Sequence, residues 1–268
     1  MDLQQIGIGH PAVKQVLSIQ NNTAPNRFNL FVAEGLWENN VVLDTGLEVD
    51  TFFWCPEAIH SSEARKRSVQ LAERARRAFR VSPKTLARMA ERGNPDGIIS
   101  LARMPEWRPE DIHFGNSALV VVTDGIEIPG NLGTLIRTLD ACQADLLILT
   151  NRRTRMSHPK VIRGSQGMSV RVPFVEFPDP SDAIAWLKKH RFTVYLADTD
   201  ESVNYRRLDY RGRTAFVVGS ERYGISKPWY EHGFTRVGVP MLGYADSLNV
   251  SVSASILLYE ARARKNGW

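Results

Sequence analysis

Three short stretches set side chains that could do chemistry beside glycines. The first, GNLGTLIRTLDAC (130–142), carries Asn131, Gly133 and Arg137. The second, TAFVVGSERYGIS (214–226), runs an apolar strand pattern into Gly219, Ser220, Glu221 and Gly224. The third, TRVGVPMLGYADSLNVSVSASILLYEA (235–261), ends a strand pattern at Val239, Pro240 and Met241, then brings Ser247, Leu248 and Asn249 to the mouth of a helix. A guanidinium can hold a phosphate or orient a hydroxyl, and a carboxylate in a glycine-lined loop can accept donors from a ligand or pin a neighbouring loop. Glycines let another backbone or a phosphate come close. Plainer readings stand beside these: a capped helix with a solvent-facing Arg137, a turn carboxylate at Glu221, and an N-cap at Ser247. A dinucleotide loop fits less well, because the three-glycine fingerprint is absent and no acidic residue closes a following strand at the right place.

The elements that must position these residues alternate along the chain. FNLFVAEG and TFFWC read as strands around a helical LWENNVVLDTG, and SSEARKRSVQLAERARRAF reads as one long polar helix. SPKTLARMAERG carries its own punctuation, with Ser82 as N-cap, Pro83 at the first helical position and Gly93 as the stop, and GIISLAR follows as a strand. Prolines and a glycine then break the pattern, which divides the chain into an N-terminal domain (1–105), a linker (106–117) and a C-terminal domain (118–268). In the second domain ALVVVTDG, LLILT, VPFVEF, TVYLADTD, TAFVVGSE and TRVGVPM read as strands. Helices start near Asn131, after Ser181 and at Ser247. In GNLGTLIRTLDAC, Leu132, Leu135, Ile136 and Leu139 recur at helical spacing and leave Arg137 on another face, with Asn131 where an N-cap would sit. Continuous apolar strands separated by helices predict an α/β fold with a mostly parallel sheet covered on both faces.

Composition bounds the function class. The 268 residues are 43% hydrophobic, enough for a substantial core, and no apolar run approaches membrane-spanning length. The N-terminus lacks signal-peptide character, so a soluble cytoplasmic protein is expected. Cys55, Cys142 and the six histidines show no metal-ligand spacing, so neither a metal nor a disulfide is expected. The net charge of +5 is concentrated in three segments. These are Arg65 to Arg80; NRRTRMSHPKVIRG, with Arg152, Arg153, Arg155, Lys160 and Arg163; and YRRLDYRGR, where Tyr205 and Tyr210 interleave with arginines and could stack on bases. Any one could be a solvated face; three together favour an RNA partner.

Taken in order, the motifs resemble those of the SpoU/TrmH family of RNA ribose 2′-O-methyltransferases, within the knotted SPOUT superfamily. Asn-x-Gly-x-x-x-Arg matches Asn131, Gly133 and Arg137; Gly-x-Glu-x-x-Gly matches Gly219, Glu221 and Gly224. The Pro-Met step and Ser-Leu-Asn-Val-Ser match Pro240, Met241 and Ser247 to Ser251, and Pro-Lys-x-x-Arg-x-Ser-x-Gly matches Pro159 to Gly167. Two positions depart from the common pattern: Ser220 stands where Asn is frequent, and Ser253 where Ala is frequent. FNLFVAEGLWENNVVLDTG resembles the family's N-terminal substrate-binding domain, related in fold to RNA-binding ribosomal proteins.

The resemblance implies a C-terminal trefoil knot, a rare exception to unknotted topology. It implies an S-adenosylmethionine pocket within that knot, formed by Leu196, Ala197, Gly219, Ser220, Glu221, Val239, Met241, Leu248 and Asn249. It implies catalytic roles for Arg137, Asn131, Glu221, Ser247 and Asn249, and a homodimer in which Arg137 completes the partner's site. Arg137 would act on the ribose hydroxyl as base or as orienting donor; the first role is awkward for a guanidinium, which normally stays protonated. Ribosomal RNA is the favoured substrate and transfer RNA the alternative. A non-catalytic RNA-binding module and a nucleotide-dependent dehydrogenase are the readings from other classes.

Overall fold

The computed structural model describes residues 1–23, 26–91 and 96–268. In chain order its strands and helices are β1 (Gln5–Ile6), α1 (Pro11–Gln20), β2 (Leu30–Glu34), α2 (Gly35–Asp44), β3 (Val49–Trp54), α3 (Ser62–Arg74), β4 (Arg77–Val81), α4 (Pro83–Met89) and β5 (Ile98–Arg103). After the segment around Pro109 come β6 (Leu119–Asp124), α5 (Pro129–Ala141), β7 (Leu146–Thr150), α6 (Pro159–Gly164), β8 (Phe174–Phe177), α7 (Pro180–Lys189) and β9 (Thr193–Ala197). The chain closes with β10 (Val203–Asn204), β11 (Thr214–Gly219), α8 (Lys227–Tyr230), β12 (Thr235–Gly238) and α9 (Val250–Asn266). Two units result: residues 1–105 with 156–171, and residues 106–155 with 172–268.

The first unit holds a mixed sheet in the order β1-β4-β3-β5-β2. Its pattern differs from the sequence reading in two places. The long polar helix stops at Arg74, because Arg77 to Val81 pairs as a strand with β3 and β1, seating Phe79 against Phe53. The stretch before Phe28, to which no element was assigned, forms α1, with Pro11 in its first turn and Ala12, Val13, Val16 and Ile19 buried. Ser82 caps α4 as expected, its Oγ accepting from Thr85 N, whereas Gly93 lies outside the described residues. The basic run along α3 and β4 is substantially neutralised. Arg67 pairs with Asp44, Arg76 with Glu48, Arg77 with Asp50 and Arg80 with Glu57.

The second unit is built on a seven-stranded sheet in the order β10-β12-β9-β11-β6-β7-β8, with every pairing parallel. A parallel sheet covered on both faces needs continuously apolar strands, and β6 is buried at every position. Its core packs Val120, Val122, Ile148, Leu196 and Val217 with Trp229. Tyr210 belongs to this interior, 1% exposed and donating through its hydroxyl to Tyr205 O, so it cannot stack on a base. The arginines beside it are engaged as well: Arg211 holds Asp209, and Arg213 donates to the carbonyls of Phe114, Gly115 and His190.

One buried carboxylate fixes the ends of the central strands. Asp124, the last residue of β6, accepts from Thr150 Oγ1 at 2.9 Å, Asn151 Nδ2 at 2.7 Å and Ser226 N at 2.7 Å. It thereby ties β6, the end of β7 and the turn that follows β11 into one frame. Asp124→Ala removes an acceptor shared by three donors, and should lower stability by roughly 3 kcal/mol, read as a fall in urea midpoint at unchanged m-value.

Candidate active site

The cavity opens at the carboxyl ends of β9, β11 and β12, where open parallel sheets characteristically hold ligands. Its volume is about 520 Å³, within the range of small-molecule sites. Ala197, Gly219 and Gly238, the last residues of those three strands, all line it, and so do Met241, Ser247, Leu248 and Asn249 from the loop into α9.

Local chemistry sets each wall. Helix α5 begins at Pro129, whose fixed φ suits the first helical position, so Asn131 sits in the first turn and is not the N-cap. Its side chain is therefore free for tertiary bonding. Asn131 Nδ2 donates to Glu221 Oε1 at 2.7 Å, and Asn131 Oδ1 accepts from Asn249 Nδ2 at 3.0 Å. Glu221 Oε2 also accepts from Glu127 N at 3.1 Å. Asn249, which replaces Ser247 as the cap of α9, accepts from Ser251 N and Ser251 Oγ. Helix α9 starts three residues later than the sequence suggested because the Asn249 side chain closes its first turn, while Ser247 donates to Asp246. One continuous hydrogen-bonded line thus joins all three motifs across the cavity wall.

The turn after β11 is closed by paired bonds between Ser220 and Gly224, each 3.0 Å. Gly224 has φ +68°, and a Cβ on Gly219 would collide with the backbone of Gly224 and Ile225. Gly219→Ala should therefore destabilise the protein by roughly 1–3 kcal/mol and open this turn, seen in chemical unfolding together with weakened ligand binding. On the opposite wall Tyr230 donates to Asp198 Oδ2 at 2.8 Å, with Arg236 lying 5.0 Å from its ring centroid. Burial, followed by the Asp198 carboxylate, pushes the Tyr230 phenol up, which keeps it a donor.

Most residues singled out from sequence meet here. Asn131, Ala197, Gly219, Ser220, Glu221, Val239, Met241, Ser247, Leu248 and Asn249 all line the cavity. Leu196 does not: it is fully buried in the core, because strand alternation turns it inward while Ala197 faces the cavity. Arg137 is also absent from the wall. It lies exposed on α5, six residues beyond Asn131 and on a different helical face, with no hydrogen bond or ion pair among the described residues. Asp198, Thr199 and Tyr230 were not foreseen; TVYLADTD held the only signal, two polar residues just past a strand end.

The second basic segment divides between the units. Arg152, Arg153 and Arg155 belong to the second, Lys160 and Arg163 to the first. Arg152 pairs with Glu176 at 2.7 Å and Arg163 with Glu91, whereas Arg153 and Lys160 are exposed without an ion pair among the described residues.

Residues 118–259 match the SpoU rRNA Methylase family. The chain belongs to that family. Residues 10–100 match the MRM3-like substrate binding domain, so the two motif sets fall on two recognised modules. A 23S rRNA (uridine(2479)-2′-O)-methyltransferase of Streptomyces viridochromogenes is 28% identical over 256 residues, covering 92% of this chain and 88% of that one. The crystal structure of an AdoMet-bound rRNA methyltransferase from Sinorhizobium meliloti superimposes with a TM-score of 0.87 at 25% identity, covering 97% of each chain. A TrmH family protein of Staphylococcus saprophyticus is 32% identical over 147 residues, 55% of this chain, and the match spans 59% of that relative's length. No helix among the described residues is long and apolar enough to cross a membrane, and no group of His, Cys, Asp and Glu among them could hold a metal. Cys55 and Cys142 are buried and free.

Proposed function

We propose that this protein transfers a methyl group from S-adenosylmethionine to a ribose 2′-hydroxyl of RNA, with ribosomal RNA as substrate. The observation that carries the reading is the line Glu221–Asn131–Asn249, which binds the three family motifs into one wall of a ligand-sized cavity. The cavity fits the cofactor in character. Apolar Val218, Met241, Leu248 and Leu257 suit a purine, and Asp198, Thr199 and Asn249 offer polar partners to a ribose and an amino-acid tail. S-adenosylmethionine, when bound, supplies a methyl on a cationic sulfur that leaves as a neutral thioether. The protein's tasks are then positioning and handling of the hydroxyl proton. Asn131 and Glu221 hold the two loops at fixed separation, Ser247 and Asn249 orient the ribose or the cofactor tail, and Arg137 holds the hydroxyl beside the RNA phosphate.

Arg137 reaches the reacting centre from a second subunit in this reading. Support comes from its exposure on α5 and from the neighbouring face of α9. There Thr138 bonds Ser255 at 2.9 Å, and Val252 and Tyr259, one turn to either side of Ser255, are exposed apolar residues. The same proposal includes a trefoil knot in the C-terminal segment, a cytoplasmic location, and RNA recognition by residues 1–105 ahead of a transferase domain at 118–268. Arg153 and Lys160 are the better phosphate contacts of the second basic segment, since Arg152 and Arg163 are already held by carboxylates.

Transfer RNA is the second reading. The test is transfer of labelled methyl from S-adenosylmethionine to unmodified ribosomal RNA transcripts and, separately, to transfer RNA, followed by nuclease digestion. Label on a 2′-oxygen of ribosomal RNA is expected; label on a base, or cofactor binding without transfer to either RNA, would overturn the proposal.

A further inference from the structure

The turn that carries Glu221 also displays two side chains that the proposed chemistry leaves unused. Tyr223 is 71% exposed, and the Arg222 guanidinium lies 5.1 Å from its ring centroid. A large exposed ring on a loose loop would mean little. This turn is fixed by five hydrogen bonds: the paired Ser220 and Gly224 bonds, Tyr223 N donating to Ser220 Oγ at 2.9 Å, and the two Glu221 carboxylate contacts to Asn131 and Glu127. The ring is thus presented from a preorganised support, with its partners Ser220, Glu221 and Gly224 in the cavity wall itself. The other loops of the rim add exposed apolar side chains, Ile128 before α5 and Leu242 and Tyr244 between β12 and α9.

A ribose brought to this mouth carries its base with it, and sequence-specific RNA recognition targets single-stranded loops, bulges and ends whose bases are splayed out of the stack. The unstacked base needs a new partner, and aromatic rings paired with arginine supply one without regard to base identity. We infer that Tyr223, backed by Arg222, is the stacking platform for the base of the target nucleotide. The inference rests on the RNA methyltransferase reading above and adds to it a residue that touches the substrate. It assigns Tyr223 a role in RNA affinity alone, separate from the cofactor.

The test compares wild type with Tyr223→Ala, Tyr223→Phe and Tyr223→Trp in methyl transfer to whichever unmodified RNA transcript the wild type accepts. The Ala variant should raise the KM for RNA about tenfold or more, with the S-adenosylmethionine Kd unchanged. Phe and Trp should restore wild-type KM, which a role for the Tyr223 hydroxyl would not allow. In a fragment with an abasic ribose at the mapped position, wild type and the Ala variant should become equal. An unchanged KM in Tyr223→Ala, a loss of cofactor affinity, or a persisting difference on the abasic fragment would overturn the platform while leaving the methyltransferase reading intact. Failure of the wild type to methylate any RNA would overturn both.

Discussion

Arg137→Ala should lower kcat for RNA methylation by about 10²–10⁴-fold while leaving the Kd for S-adenosylmethionine unchanged. The expectation comes from position. Arg137 is outside the cavity wall, so its loss removes no cofactor contact, and it is exposed, so its loss unfolds nothing. Its effect must be felt where RNA reacts. Lysine at this position would keep the charge but not the planar fork, and should recover only a small part of the rate.

Mixing variants tells which subunit supplies the arginine. Ala197→Trp fills the cavity and should abolish cofactor binding without touching α5. If Arg137 serves the partner's cavity, a heterodimer of Arg137→Ala with Ala197→Trp has one complete site, and random mixing should restore about a quarter of wild-type activity. If the arginine served its own cavity, every mixed site would lack one part and no activity would return. Isothermal calorimetry for the cofactor and labelled-methyl transfer for turnover separate the two quantities, and light scattering on the same samples reports the oligomeric state.

The motif spacing was legible because it reflects geometry the chain cannot avoid. Gly219 and Gly224 are where a tight turn must close against its own backbone, and Asn131, Glu221 and Asn249 have side chains of the right length to bridge three loops. Apolar periodicity likewise exposed β6, β11 and α5, whose buried positions match the 2- and 3.6-residue repeats or a continuous run. The errors arose where two local rules compete. Asn131 and Ser247 are both good caps, but Pro129 starts α5 earlier and Asn249 starts α9 later. Leu196 and Ala197 are both apolar, and only the register of β9 on β11 and β12 decides which one faces the cavity. Tyr210 sits among arginines in sequence yet its ring packs against Tyr195 and Phe216, a tertiary fact with no local trace. Charge was the least readable property, since Arg76, Arg77 and Arg80 look like a basic patch until their acids arrive from β3 and its flanks.

Asn131→Asp should damage the site more than Asn131→Ala, although it is the smaller change in shape. The native amide faces both ways: its nitrogen donates to Glu221 and its oxygen accepts from Asn249. Alanine removes both bonds and leaves a gap that water can enter, since the group is only half-buried. Cofactor affinity should then fall by roughly tenfold, the equivalent of about one charged hydrogen bond. Aspartate keeps the acceptor for Asn249 but places a carboxylate oxygen where a donor stood, 2.7 Å from Glu221 Oε1. Two carboxylates at that separation repel when both are ionised, so near neutral pH the turn bearing Ser220 to Gly224 is driven off α5 and the cavity wall opens. A loss of affinity on the order of a hundredfold is expected there. The sign of the pH dependence follows. Like-charge repulsion raises the apparent pKa of the pair, so lowering the pH adds one shared proton that restores an O–H···O bridge, and affinity in Asn131→Asp should recover on acidification. Asn131→Ala, with no second carboxylate, should show no such recovery. Cofactor titrations of both variants between pH about 5 and about 8 measure the difference, and parallel pH profiles would mean that the Glu221–Asn131 bond does not hold the wall together.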